Sequence, residues 1–401
     1  MIATLALLLL AFAVIATWLA RPDPVVDVSS GSTAPTIGQI YFGGAGKPDG
    51  ALRDLLLQRV RATPAGQSID WATYYFLDPQ LAQALVEASR RGVRVHLVVE
   101  GDPRLETANG AVITMLRRDG LNGGLTIRPA APFPLKYVSG KRHAKIYAFS
   151  WPKPVALVGS FNPSGGAGDD APAILREIGD QDRGHNMLVE ITSPGLVDAL
   201  VHHVAELARN QGSIWRFIAE NNRIVRDRDT ELYFYPRIHA DIVEDMLDQL
   251  GPGDRLWAAI SHLKGAAVGS LENAARRGAR INLIVHDTER RVPQRAVDRL
   301  HKVGVEIRRY RHPEGFPMHD KFFVIKNDNR WVTYFGSLNS NRNSRLLNDE
   351  LLVRSTNPTL VLPLLQRFAE IDRRWINSRR GTVIDRGSVC HMMIAPASAP
   401  S

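Results

Sequence analysis

At 401 residues the chain is long enough for two or three domains, or one large duplicated one, at about one domain per ~150 residues, which excludes a small disulfide-held scaffold. Hydrophobic residues at 44% and charged residues at 23% sit near globular averages and exclude wholesale disorder. Fifty Lys and Arg against 41 Asp and Glu give a net charge of +9, which favours phosphate-bearing partners without choosing between nucleic acid and membrane lipid. The one cysteine, Cys390, excludes an intramolecular disulfide and any Cys cluster for zinc or iron–sulfur ligation.

Met1 to Ala20 carries no charged side chain and, as a helix, would reach ~30 Å, about one hydrocarbon core. We read 1–20 as an export segment, either a signal peptide or a retained membrane anchor. A basic n-region is missing, and Trp18 breaks the small-residue pattern before Ala20. The expected location is therefore secreted or periplasmic, or membrane-anchored through this helix. Residues 21–36, rich in Pro, Ser, Asp and Gly, read as a linker, and 386–401 as a tail.

From there the chain says nearly the same thing twice, with a period near 180 residues. Each half opens on a β-type run, Gln39 to Phe42 and Glu231 to Phe234, and reaches a helix that stops at Arg90-Arg91-Gly92 or Arg276-Arg277-Gly278. An apolar strand follows at once, Val93 to Val99 and Ala279 to Val285, the αβ junction of a parallel or mixed sheet. Helical periodicity returns over Arg104 to Arg118 and Val292 to Val303. Gly43-Gly44-Ala45-Gly46-Lys47 lacks the Ser or Thr and the earlier glycine of a phosphate loop and reads as a turn. His202-His203 lies in a helical segment, where adjacent residues point apart and share no metal.

The chemistry sits near the end of each half. The first reads His143-Ala144-Lys145, a strand Val155 to Val158, then Gly159-Ser160-Phe161-Asn162; the second reads His319-Asp320-Lys321, Trp331 to Phe335, then Gly336-Ser337-Leu338-Asn339. His to Ser is 160 − 143 = 17 in one and 337 − 319 = 18 in the other. A step of two along a strand sets His and Lys on one face. The glycine lets the backbone approach a ligand, with Ser160 and Ser337 as further donors to substrate.

A phosphodiester needs an in-line nucleophile, an acid for the leaving alkoxide, and fixed positive charge on its non-bridging oxygens. Two imidazoles fill the first two roles, one neutral and one protonated. Lys145, Lys321, Asn162 and Asn339 then form the cradle. No cofactor or metal is needed, and an ammonium beside each imidazole repels a cation. An acid on the second ring nitrogen would hold each tautomer, and Glu350 and its counterpart Glu190, each in an apolar strand, are the candidates.

These paired motifs resemble the phospholipase D superfamily, whose signature is HxKxxxxD followed by GSxN, over about residues 37–377. The resemblance implies a duplicated mixed-sheet α/β sandwich in two halves, 37–220 and 221–385, related by a pseudo-twofold with one shared cleft. It also implies an exported phosphodiesterase cleaving a phospholipid through a phosphohistidine on His143, with His319 as acid and transfer to an alcohol as an option. Ser150 and Lys326 stand where the family has Asp, with Asp328 two places further on in the second half. An exported nuclease, a cardiolipin-synthase-like phosphatidyltransferase and a non-catalytic phosphate-binding relative remain as alternatives. The partners expected are thus a phospholipid or other phosphodiester, nucleic acid included, with membrane contact through 1–20 if that segment is kept and an oligomeric state left open.

Overall fold

A computed structural model of the chain describes residues 22–29, 31, 33–105, 108–129, 140–164, 182–209, 221–328 and 330–380, with side chains as far as 372. The expected export segment, the tail and Cys390 lie outside the described residues.

In chain order the first half holds β1 (Val25–Asp27), β2 (Ile37–Phe42), α1 (Ala51–Ala62), β3 (Ser68–Thr73), α2 (Pro79–Arg90) and β4 (Arg94–Glu100). It continues with α3 (Gly110–Asp119), β5 (Leu125–Arg128), β6 (Ile146–Phe149), β7 (Val155–Gly159), β8 (Met187–Ile191) and α4 (Pro194–Arg209). The second half begins with β9 (Ile224–Asp227), β10 (Thr230–Tyr235), α5 (Ile242–Asp248), β11 (Arg255–Ile260), α6 (Ala266–Arg276), β12 (Arg280–Val285) and α7 (Gln294–Lys302). It ends with β13 (Glu306–Arg309), β14 (Lys321–Asn327), β15 (Arg330–Gly336), α8 (Arg342–Leu346), β16 (Glu350–Ser355) and α9 (Val361–Arg380).

Two mixed sheets result. One runs β2-β8-β7-β6-β3-β4-β5, and the other repeats that order as β10-β16-β15-β14-β11-β12-β13 with β9 and β1 added at one edge. Within each, the helix-connected strands pair in parallel (β3 with β4, β11 with β12) and the hairpin strands antiparallel (β6 with β7, β14 with β15). This is the duplicated α/β sandwich that the sequence leads one to expect.

Alternation along the strands sorts side chains into three apolar layers. Trp71, Tyr147, Phe149 and Leu157 face outward onto α1 and α2, and Leu256, Ala258, Phe323 and Ile325 face outward onto α5 and α6. Their strand neighbours Ala72, Ile146, Val158, Phe322 and Val324 face inward, into one central core that both sheets share with α4 and α9. A core common to both sheets, at ~1.5–3 kcal/mol per buried large apolar side chain, welds the halves into one body.

Two segments depart from the sequence reading. The stretch expected to be a linker is packed: β1 pairs in parallel with β9, and Asp23 holds the buried Arg237 and, at 2.8 Å, His239. Helix α3 starts at Gly110 rather than at Arg104. The buried Asn109 just before it accepts from Phe76 N at 2.9 Å and donates to the carbonyls of Tyr74 and Glu100, so its amide pins the loops over the sheet.

One arginine stitches the halves at the centre. Arg367 on α9, buried, donates from Nε to Asp320 Oδ2 at 2.8 Å and from Nη2 to the carbonyls of Gly43 and Asn186. Breaking a buried ion pair from one side strands the other charge, at ~3–5 kcal/mol. Arg367→Ala should therefore lower stability by about that amount, read as a drop in the urea midpoint at unchanged slope; a loss below ~1 kcal/mol would contradict this role.

Candidate active site

Each motif histidine lies just outside its strand and is fastened by the opposite half. Arg142 bridges Asp349 and Met318 bridges His185, so the chain entering β6 runs beside the start of β16, and the chain entering β14 runs beside the start of β8. His143 N donates to Asp349 O and His319 N to His185 O, both at 2.9 Å. The buried Arg142–Asp349 ion pair reinforces the first of these joints. His143 and Lys145 precede β6, and Lys321 opens β14.

The ring partners differ between the halves. His143 Nδ1 lies 2.8 Å from Glu350 Oε2, whereas His319 Nδ1 lies 2.9 Å from Asn186 Oδ1. Glu190, expected as the counterpart of Glu350, is elsewhere: it binds Arg59, Tyr41 Oη and the Gln39 N–H at the outer end of β8. The correct counterpart is Asn186. Ser337 Oγ donates to Glu350 and accepts from Leu351 N, and Ser160 Oγ likewise donates to Asn186 and accepts from Met187 N. Sequence reasoning missed it because the serine precedes its partner by 26 residues in the first half and by 13 in the second. Matching Gly184-His185-Asn186-Met187-Leu188-Val189 to Asn348-Asp349-Glu350-Leu351-Leu352-Val353 would have found it.

The serines and glycines of the motif therefore serve the scaffold. Ser160 and Ser337 are buried and spent on the positioning residues, which corrects the expectation that they meet substrate. A Cβ on Gly159 would stand 2.2 Å from Met187 O, and one on Gly336 would stand 2.3 Å from Leu351 O. The glycine permits close approach of the neighbouring strand, not of a ligand. Ser150 accepts from Ser68 N and donates to Gln67, closing the far end of β6 onto β3. Lys326 lies over Trp331, and Asp328 sits at φ 47° in the turn after β14, seven or more residues from the cleft end.

The cradle is symmetric. Lys145 Nζ donates to His143 O at 2.6 Å and Lys321 Nζ to His319 O at 2.8 Å. Asn162 Oδ1 accepts from Tyr75 N at 3.3 Å, and Asn339 Oδ1 lies 3.1 Å from His262 Nδ1. Both amide oxygens are thus occupied by protein. His262 went unnoticed in the sequence, as did Tyr74, whose ring centroid is 5.0 Å from that of His143. His143, His319, Asn162, Asn339, His262 and Tyr74 line one cleft of about 600 Å³. A second groove of about 880 Å³ runs along the edge strand β13 and holds no motif residue. Among the described residues no group of His, Cys, Asp and Glu is arranged to hold a metal ion, and no helix is long and apolar enough to cross a membrane.

Burial sets the electrostatics. It pushes His143 down to about 4, against the pull of Glu350, and lowers Lys145 to about 7. His319 and Lys321 fall well below their ordinary values through burial and the other cations of the site. For Glu350 burial works upward, but His143, Lys145 and Ser337 outweigh it and hold the carboxyl below its usual range. An anion entering the cleft would reverse the penalty on every one of these cations.

A family model described as "Cardiolipin synthase, PLD-like domain" matches residues 60–205 and 252–372, one stretch in each half. No curated protein matches the sequence at a significant level. Among solved structures, a phosphatidylserine synthase from Haemophilus influenzae Rd KW20 aligns with TM-score 0.57 at 13% identity over 84% of this chain and 86% of that one. A polyphosphate kinase from Porphyromonas gingivalis aligns with TM-score 0.52 at 15% identity over 83% of this chain, which spans half the length of that protein. At such identities these likenesses speak for the fold.

Because kcat/KM reports free-enzyme protonation, it should decline as pH rises through 7. On the way His319, which burial and the neighbouring cations depress, loses the proton a general acid must give, and near 7 Lys145 loses its charge as well. An acid limb should appear near pH 4, where His143 takes up a proton. Initial rates on a chromogenic phosphodiester between pH 3.5 and 9 test this, and a flat or alkaline profile would contradict it.

Proposed function

The chain belongs to the phospholipase D superfamily, and from that premise we propose that it cleaves phosphodiesters by two displacements through a phosphohistidine. The observation that carries this reading is the exchange across the halves, which brings His143, His319, Asn162 and Asn339 of the two motifs to one cleft. His143 is the nucleophile. Its Nδ1–H is held by the Glu350 carboxylate, which leaves the Nε2 lone pair for phosphorus and stabilises the cationic phosphoryl-imidazole. His319 is the general acid. Its partner Asn186 accepts the Nδ1–H but carries no charge, so the imidazolium is less stabilised and gives its proton up more readily.

In the first step the N–P bond forms, the P–O bond to the leaving group breaks, and the alkoxide takes the proton of His319. In the second, water attacks phosphorus, returns a proton to His319, and the N–P bond breaks to release a phosphomonoester. Lys145, Lys321, Asn162 and Asn339 hold the non-bridging oxygens, a cradle preorganised by its own backbone and side-chain hydrogen bonds. An alcohol in place of water would give transfer. The description of the matching family model favours phosphatidyl transfer as a second reading, and it keeps the phospholipid expected from the sequence as a candidate substrate. Export, or anchoring through residues 1–20, remains part of the proposal.

His143→Ala and His319→Ala should each lower turnover of a model diester by at least ~10²–10⁴-fold, the usual worth of a positioned proton-transfer group. Label from substrate, quenched at alkaline pH and located by mass spectrometry, should lie on the peptide carrying His143; label on the His319 peptide would reverse the roles. Turnover should also survive dialysis against EDTA, since cations of the protein neutralise the phosphate. Loss restored stoichiometrically by zinc or manganese would point to a different mechanism.

A further inference from the structure

Asn162 and Asn339 answer one another across the pseudo-twofold, yet their amides are held by groups of different kinds. Where the chain leaves β3, Leu77 N donates to Pro163 O at 2.8 Å; where it leaves β11, Lys264 N donates to Ser340 O at 2.9 Å. These matching bonds put Tyr75 and His262, each two residues earlier, at equivalent places beside the two asparagines. Tyr75 donates its backbone N–H to Asn162 Oδ1 at 3.3 Å, whereas Asn339 Oδ1 lies 3.1 Å from the ring nitrogen Nδ1 of His262. The ring also lines the cleft that holds His143 and His319.

The difference matters because a carboxamide has two ends of nearly equal size and opposite polarity. Turned one way it gives an anion two N–H donors. Turned the other way it presents an oxygen, which repels the anion. A backbone N–H only donates, so Tyr75 admits one orientation of Asn162. An imidazole donates or accepts at Nδ1 according to its tautomer, and only the Nδ1–H form accommodates Asn339 Oδ1 where it stands. Ser261 Oγ, 3.3 Å from the same nitrogen, gives or takes a hydrogen bond and imposes neither form. Burial, then Arg291, Lys321, His286 and His143, hold His262 well below its ordinary value, so the ring is neutral and carries a single N–H.

We propose that His262 is a positioning residue, which as its Nδ1–H tautomer fixes the amide of Asn339 with the NH₂ toward the reacting phosphate. The inference rests on the phosphohistidine reading above, in which Asn339 meets a non-bridging oxygen. The half of the site that carries the general acid thus depends on one proton, at His262 Nδ1, that the half carrying the nucleophile does not need.

Kinetics on bis(p-nitrophenyl) phosphate and NMR, both on the full chain, test this separately. Losing one oriented oxyanion donor costs ~10²–10³-fold, so His262→Leu, which leaves Asn339 free to turn, should lower kcat/KM by at least ~10-fold. His262→Asn, of the same branched shape as leucine but with an N–H where Nδ1 stood, should recover to within ~3-fold of wild type. On an Asn339→Ala background His262→Leu should cost no more than ~2-fold, since a residue that acts through another loses its effect with it. A merely structural ring would give the same loss in both backgrounds. Heteronuclear nitrogen NMR of isotope-labelled histidines, with the His262 signals identified by their absence from His262→Asn, should show the neutral Nδ1–H ring at neutral pH. An Nε2–H ring, an equal loss in both backgrounds, or an asparagine variant no better than leucine overturns the inference. Wild-type protein without diester turnover, or turnover that survives His143→Ala, overturns the phosphohistidine reading instead, and the ring tautomer then still decides the hold on Asn339.

Discussion

The structure depends on a reciprocal hold: the chain that carries each motif histidine is pinned, not by its own sheet, but by the strand that the other half contributes. The bridges Arg142 to Asp349 and His185 to Met318 are the two copies of this joint. Everything else at the site follows from them. Glu350 can reach His143, and Asn186 can reach His319, only because the two strand starts run beside the opposite motif. Glu350 is wholly buried, a placement that costs several kcal/mol for a lone carboxylate, and here His143, Ser337 and the nearby lysines offset that cost.

The same hold explains how so many cations tolerate burial. His143, Lys145, His319 and Lys321 meet at the seam of the two sheets, where water is largely excluded, and all four have their charged forms disfavoured. Such a site is poised for an anion. A phosphodiester that enters supplies the missing counter-charge, and the donors are already in position, so little reorganisation is left for the reaction itself. The pseudo-twofold breaks at one chemically important place, carboxylate against carboxamide behind the rings. That difference distinguishes two otherwise matched histidines.

The absent motif aspartates bear on the scaffold alone. Ser150 and Lys326 occupy strand ends remote from the cleft, where Ser150 stitches β6 to β3 and Lys326 covers Trp331. The cradle residues, by contrast, are duplicated in full. Arg367 ties the two systems together, joining Asp320, next to Lys321, to the backbone at Gly43 and Asn186. One helix thus braces a motif of the second half against a turn of the first.

Much of this was legible in the sequence, because repetition and period-2 alternation are local properties. The β-type run at Gln39, the helix stops at Arg90 and Arg276, and the strands Val155 to Val158 and Trp331 to Phe335 can be read directly, and with them the duplicated sandwich. The HxK and GSxN spacings likewise identify His143, His319, their lysines and their asparagines without any knowledge of contacts. What the sequence could not determine is which residues meet across the seam, since such pairs lie about 130 to 210 positions apart. Asn186 was hidden by unequal spacing after the serine, Glu190 was misread because an acid in an apolar strand looks alike whichever face it is on, and the basic residues of the cleft are scattered from Arg104 to Arg342. Tertiary structure alone decided these, because a hydrogen bond or a field of charge depends on distance in space, and the chain's own periodicity carries no record of it.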